Sequence, residues 1–293
     1  MKIDFSNPLQ GRRWLKIIDC KDNYKLLFKA NLSLPKNHLG FSFKTNKYGF
    51  RGAEDNHSAD HLILGTSFAM GMSVNDGENW YENFKDTQFF NLAMSGGIIS
   101  QHDYYKELYS GKCNGLLYLY HPNVWQFTKD QQSAIDKNIN LFEMKGWKTD
   151  ILSCLKLLPK YYAKTISLFK IVSFKKIKYR INPNYCFFKI NEANKKYANI
   201  HLEQLATIAK DFENVYIVRV PVKEQLGFKN DHPLVVNYEY WWDYFKKNKS
   251  EKYKVIDLID SFDLSHYHPY DTHWNAEGNL HFFNLVKKHA NLS

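Results

Sequence analysis

From about residue 60 onward, short apolar runs alternate with longer stretches whose apolar positions recur every three or four residues. The runs HLILG at 61–65, QFFNLA at 88–93, GLLYLYH at 115–121, VYIVRVP at 215–221 and KVIDLID at 254–260 each have the length and β-branched or aromatic content of a buried strand. Between them, helices are predicted over 75–84, opened by Asn75 or Asp76, around 99–109, near 195–212, and from about Asn275 to the C-terminus. Strands that alternate with helices predict a three-layer α/β/α fold around a mainly parallel central sheet. Residues 1–60 lack this alternation and read as an irregular lead-in with turn signals such as KTNKYGFRG at 44–52. The whole chain, 1–293, is expected to form one domain.

A second departure lies at about 130–195, which reads as a basic, mainly helical insertion. The chain carries 40 Lys and Arg against 30 Asp and Glu, a net charge of +10. Between Met144 and Ile190 stand eleven basic residues and one acid, Asp150, so the rest of the chain balances at 29 against 29. The positive charge is therefore a local patch. Lys156, Lys160 and Lys164 are spaced to share one helical face, with Ile151, Leu152, Leu155 and Leu158 on another. Such a face is compatible with plain solvation, or with an anionic glycan or nucleotide sugar, an anionic membrane surface, or a protein partner. No RNA-binding motif accompanies it, and no nucleic acid partner is expected.

Composition narrows the class further. Aromatic residues reach 16 %, which suits stacking on sugars or bases and equally suits a large core. No uncharged apolar stretch approaches a membrane span, and the opening residues lack the apolar segment of a signal peptide. Cys20, Cys113, Cys154 and Cys186 are scattered without a CxxC pair, as in reduced thiols rather than a disulfide framework or zinc site. A cytoplasmic location follows as the expectation, extending to the inner face of the membrane if the basic patch binds lipid.

Two stretches carry candidate chemistry. In HLILGTSFAMG at 61–71, Ser67 follows a strand and is bracketed by glycines. It is either a nucleophile raised at the sheet edge or a polar turn residue. In HYHPYDTHWNAEG at 266–278, three histidines and Asp271 fall within eight residues. That cluster is compatible with a metal site, but no second ligand cluster supports one, and no metal or cofactor is expected. The alternative makes His273 a general base oriented by Asp271, because a serine hydroxyl is a poor nucleophile until an imidazole accepts its proton.

Four stretches, in chain order, resemble the four blocks of the SGNH (GDSL-type) hydrolase superfamily. LGTSFAMGMSV at 64–74 is similar to the block holding the nucleophilic serine. NLAMSGG at 91–97 is similar to the block whose glycine supplies an oxyanion-hole amide, here Gly96, with Gly97 as a substitute. His121-Pro-Asn123 falls where the family has its oxyanion-hole asparagine, and DTHWN at 271–275 resembles the closing Asp/His block. The 44–52 phrase and Val222-Lys-Glu-Gln225 also resemble one bacterial branch, related to polysaccharide O-acetyl esterases and O-acyltransferases. Two positions depart from the pattern: Thr66 stands where the family has Asp, and Val124 follows Asn123 where it has another Asp.

The resemblance implies a flavodoxin-like arrangement of the layers. It also implies a serine esterase removing O-acyl, chiefly O-acetyl, groups from a carbohydrate through an acyl-enzyme on Ser67. The same machinery with a sugar hydroxyl in place of water is an O-acyltransferase. A catalytically silent scaffold that binds glycan or a partner through the basic segment is the reading from a different class.

Overall fold

The computed structural model describes residues 15–20, 23–28, 33, 41–52, 59–93, 113–136, 181, 188–269 and 271–292. Five strands form one all-parallel sheet: β3 (His61–Gly65), β4 (Phe89–Asn91), β5 (Gly115–Tyr120), β6 (Asn214–Arg219) and β7 (Lys254–Asp257), in the order β4-β3-β5-β6-β7. Two further strands, β1 (Leu15–Cys20) and β2 (Asn23–Phe28), pair antiparallel as a separate ribbon. The helices are α1 (Ser67–Met70), α2 (Val124–Asp136), α3 (Glu192–Ala209), α4 (Lys223–Gly227), α5 (Pro233–Asn248) and α6 (Ala276–Ala290).

The inner strands β3, β5 and β6 are buried along most of their length because both faces of the sheet are covered. All six residues of β5 are buried, as expected of a parallel strand with no solvated side. On one face, Tyr118 bonds His201 of α3, and Tyr120 packs on Trp125 of α2 and on Trp242 and Phe245 of α5. The other layer is built on Trp80, in a short 3-10 turn at 80–83, which packs on Phe89 of β4 and Phe282 of α6. Helix, sheet, helix is the predicted three-layer architecture.

The order also places the functional edge. The chain passes from β3 outward to β4, then returns to the far side of β3 as β5. The switch point of the sheet therefore lies between the carboxyl ends of β3 and β5, where open α/β sheets bind their ligands.

Several expectations are corrected. The helix predicted over 75–84 is only the turn Trp80–Asn83, capped by Asn79 rather than by Asn75 or Asp76. Those two side chains instead accept from the backbone amides of Ser42 and Lys44. Glu78 and Glu82 turn back to the amides of Asn75 and Gly77, a local bonding pattern that competes with helix. Within residues 1–60, β1 and β2 pair antiparallel. Helices α2 and α3 occupy both ends of the 130–195 segment; residues 137–180 and 182–187, with Lys156, Lys160 and Lys164, lie outside the described residues. The helix expected at 99–109 does too. Helix α5 adds to the elements expected from the sequence: Leu234, Tyr238, Trp241, Trp242 and Phe245 recur at helical spacing behind Pro233 at the first turn.

Candidate active site

The site starts where β3 stops. Gly65 has φ of 151°, and a Cβ there would lie 2.7 Å from Ala69 Cβ and 3.0 Å from the Leu119 carbonyl oxygen. Only glycine lets the strand turn this tightly against β5. Thr66 is still extended, and Ser67 opens the four-residue helix α1. Its amide is thus one of those that a helix start leaves without an intrahelical acceptor. Gly71 ends α1 in the left-handed conformation, φ 72°. Arg51, itself buried, holds this turn from outside: it donates to the Gly71 carbonyl and pairs with Asp76 at 3.2 Å.

The partner comes from the other end of the chain. A tight loop carries Asp271 and His273, closed by an antiparallel bridge between Tyr267 and Trp274 and by the His268 amide donating to the His273 carbonyl at 3.1 Å. Asn275 then caps α6, accepting from the Gly278 amide at 2.8 Å. The loop is tied to its surroundings by Tyr267 Oη, which donates to the Pro221 carbonyl at 2.7 Å, and by His268 Nε2, which donates to the Ser73 carbonyl at 2.8 Å.

Within that frame Asp271 Oδ1 accepts from both the backbone amide of His273, at 2.9 Å, and its Nδ1. The second bond keeps the proton on Nδ1. Nε2 is left as an acceptor, and Ser67 Oγ lies 2.7 Å from it. Burial works against charge on Asp271, but the hydrogen bond and charge of His273, with His268 beyond, outweigh it and hold the carboxyl below its usual range. An anionic carboxylate in that place fixes the imidazole tautomer and stabilises its cation. The three candidate side chains are therefore brought together as a hydrogen-bonded Ser67–His273–Asp271 chain.

Phe68 forms the wall beneath them. Its ring lies 4.8 Å from His273 and 4.9 Å from His121, with Trp274 edge-on at 5.1 Å. His121 ends β5 and accepts from the Asn123 amide at 3.1 Å through Nδ1. Burial, with the nearby His273, pushes its pKa down to about 3, so it remains neutral. Asn123 is buried at the start of α2, on the same edge as Ser67 and next to the ring that Phe68 contacts. Gly96 and Gly97 lie outside the described residues.

The remaining histidines of the 266–278 cluster diverge. His266 stacks on His281 at 4.4 Å and accepts from the Asp263 amide, whereas His268 reaches Ser73. Among the described residues no group of three or more His, Cys, Asp or Glu is arranged to hold a metal ion. None of the described helices is long and apolar enough to cross a membrane.

The site depends on residues that sequence reasoning did not assign to it: Phe68, His121, Arg51, His268 and Lys223. Lys223 lay within a quoted stretch, Val222–Gln225, but nothing in its spacing indicated what it touches. Contacts between chain segments 20 or more residues apart leave no periodic signal.

An all-parallel α/β/α domain with a hydrogen-bonded Ser–His–Asp chain at its switch point is what fold and site define. No family model and no curated protein matches the chain. Among solved structures, a Streptococcus pneumonia protein provisionally described as a platelet activating factor aligns with 79 % of this chain and 83 % of its own, at 11 % identity and a TM-score of 0.38. That similarity is too low to carry either fold or chemistry.

Proposed function

We propose that this chain is a serine hydrolase of the SGNH type that removes O-acyl groups, acetyl foremost, from a carbohydrate. The observation that carries the reading is the 2.7 Å contact between Ser67 Oγ and His273 Nε2, with Asp271 on the opposite ring nitrogen. Ser67 Oγ attacks the ester carbonyl carbon as its proton passes to His273 Nε2, and Asp271 stabilises the imidazolium. Negative charge grows on the carbonyl oxygen, and the Ser67 amide and Asn123 are the donors this reading assigns to it, with Gly96 as the third. Each such donor is worth roughly 100- to 1,000-fold in rate. The C–O bond to the alcohol then breaks, and the alcohol leaves with the proton from His273. Water, deprotonated by the same imidazole, attacks the acyl-serine and releases the acid, restoring Ser67. The carbohydrate and the acetyl group come from the resemblance of the four blocks rather than from the geometry.

The test is intact-mass labelling with a fluorophosphonate, on the native protein, Ser67→Ala and His273→Ala, paired with acetate release from acetylated sugars. One adduct on the native protein, lost in Ser67→Ala and slowed in His273→Ala, with acetate released into water, is the expected result. A folded native protein that takes no adduct sinks the reading. Labelling with acetate appearing only when a second sugar is present would reassign the acceptor from water to a sugar hydroxyl.

A further inference from the structure

The loop that presents Asp271 and His273 has an anchor the relay itself does not use. Lys223, the first residue of α4, is fully buried, and its Nζ donates to the carbonyl oxygens of His268 at 2.7 Å, Pro269 at 3.0 Å and Asp271 at 3.1 Å. An ammonium has three N–H donors, matching the three carbonyls of His268, Pro269 and Asp271. The next residue, Glu224, accepts from Thr272 Oγ1 at 3.0 Å, so α4 grips the loop on both sides of Asp271. Helix α4 is itself held, because Gln225 Nε2 donates to Glu239 Oε1 at 2.9 Å and Glu239 is paired with buried Arg219. Among the described residues, the charged groups that act on Lys223 are Glu224 on its own helix and Asp271 on the loop; His268 meets it through its carbonyl, and Glu239 of α5 reaches α4 through Gln225.

We propose that Lys223 is a positioning residue: its three-way clamp on the carbonyls of His268, Pro269 and Asp271 holds Asp271 and His273 in line with Ser67. These three bonds are to backbone carbonyls, so they set where the loop lies without taking part in proton transfer. Its consequence for reactivity rests on the serine-hydrolase reading above; its consequence for loop geometry does not. Burial depresses the lysine pKa from 10.5 to about 8, with Glu224 and Asp271 opposing. Above that pH the neutral amine has two N–H groups for three carbonyls, and the clamp loosens. The same titration acts on stability in the opposite sense. Between about 8 and 10.5 the unfolded lysine binds its proton more tightly than the folded one, so the fold gains stability as pH rises. Reactivity that falls while the fold becomes no less stable is the signature of a positioning role, and a merely structural lysine does not produce it.

The experiment follows fluorophosphonate labelling rates from pH 6 to 9.5 on the full chain, for native protein, Lys223→Met and Lys223→Arg, each with a thermal melt. In parallel, the proton NMR signal of His273 Nδ1–H is recorded. Native protein should lose labelling rate above about pH 8 without a drop in melting temperature. Lys223→Met should melt cooperatively but label about 10- to 100-fold more slowly at pH 7, the scale of a small misalignment. Lys223→Arg, which keeps its charge, should recover part of the rate and lack the alkaline fall. A folded Lys223→Met that labels within about 2-fold of native, with the alkaline fall intact, overturns the proposal. Should Lys223→Met not fold, the native NMR signal decides: broadening of the His273 Nδ1 proton through pH 8 supports the clamp, and a signal unchanged to pH 9.5 overturns it. A native protein that takes no adduct at any pH defeats the hydrolase reading, while the NMR titration still tests Lys223.

Discussion

Ser67 Oγ and His273 Nε2 stand 2.7 Å apart across 206 residues of sequence. The serine is delivered by the end of β3 and the histidine by the loop between β7 and α6, elements separated in the sheet by β5 and β6. The His268–Ser73 bond joins the two loops directly, so the contact belongs to a braced pair of turns rather than to a chance meeting.

Asp271→Asn should leave the fold intact and depress ester turnover about 10,000-fold. The amide presents the wrong donor pattern to His273 Nδ1 and fails to stabilise the imidazolium. Steady-state hydrolysis of an activated acetyl ester, beside far-UV circular dichroism, measures it. Turnover within 10-fold of native would remove Asp271 from the relay.

Gly71→Ala should cost more stability than Gly77→Ala, although both positions have positive φ, 72° and 85°. A Cβ at 71 runs into the Asn79 side chain, whereas one at 77 meets nothing within 4 Å. The conformational penalty is shared, roughly 1–2 kcal/mol; the collision is not. Urea unfolding of the two variants reads the difference, and Gly71→Ala should also slow Ser67 labelling because α1 ends there.

Tyr118→Phe should destabilise by about 1–3 kcal/mol, the cost of a buried polar atom left unpaired. His201 is buried between Tyr118 Oη, 2.6 Å from Nε2, and Thr128 Oγ1, 2.9 Å from Nδ1. Thr128 gives its own proton to the Val124 carbonyl, so Nδ1–H donates to Thr128 and Nε2 accepts from Tyr118. Removing the phenol hydroxyl strands Nε2. Denaturant titration gives the loss, and Tyr118→Phe with His201→Phe together should cost less than the two singly summed.

Acid should unfold this protein before its carboxylates are protonated. Burial depresses His121 and His201 from 6.5 to about 3. Below pH 6.5 the unfolded chain takes up protons that the folded chain refuses, so stability is full above that pH and falls as pH drops toward 3. Each histidine contributes a slope of roughly 1.4 kcal/mol per pH unit. Melting temperatures from pH 7 to 4 test this, and His201→Phe should flatten the curve even though it lowers the plateau.

The strand runs were legible because both-sided burial writes them as continuous apolar segments. HLILG appears as β3 over the same five residues, and KVIDLID is cut short at Asp257 only because the chain leaves the sheet for a 3-10 turn. The 75–84 stretch misled because its Asn, Asp and Glu side chains, good helix-start residues, bond loop amides instead. Helix α5 carries its apolar face at helical spacing, with Leu234, Tyr238, Trp241, Trp242 and Phe245 buried.

Local pattern determined the strand–helix alternation, the turn that raises Ser67 and the pairing of Asp271 with His273, since each depends on residues a few positions apart. Tertiary structure alone decided that His273 meets Ser67, that Phe68 backs both His273 and His121, and that Lys223 clamps the carbonyls of His268, Pro269 and Asp271. Those contacts join segments from 45 to 206 residues apart. They exist because parallel strands bring their carboxyl ends to one edge of the sheet, whatever their distance along the chain.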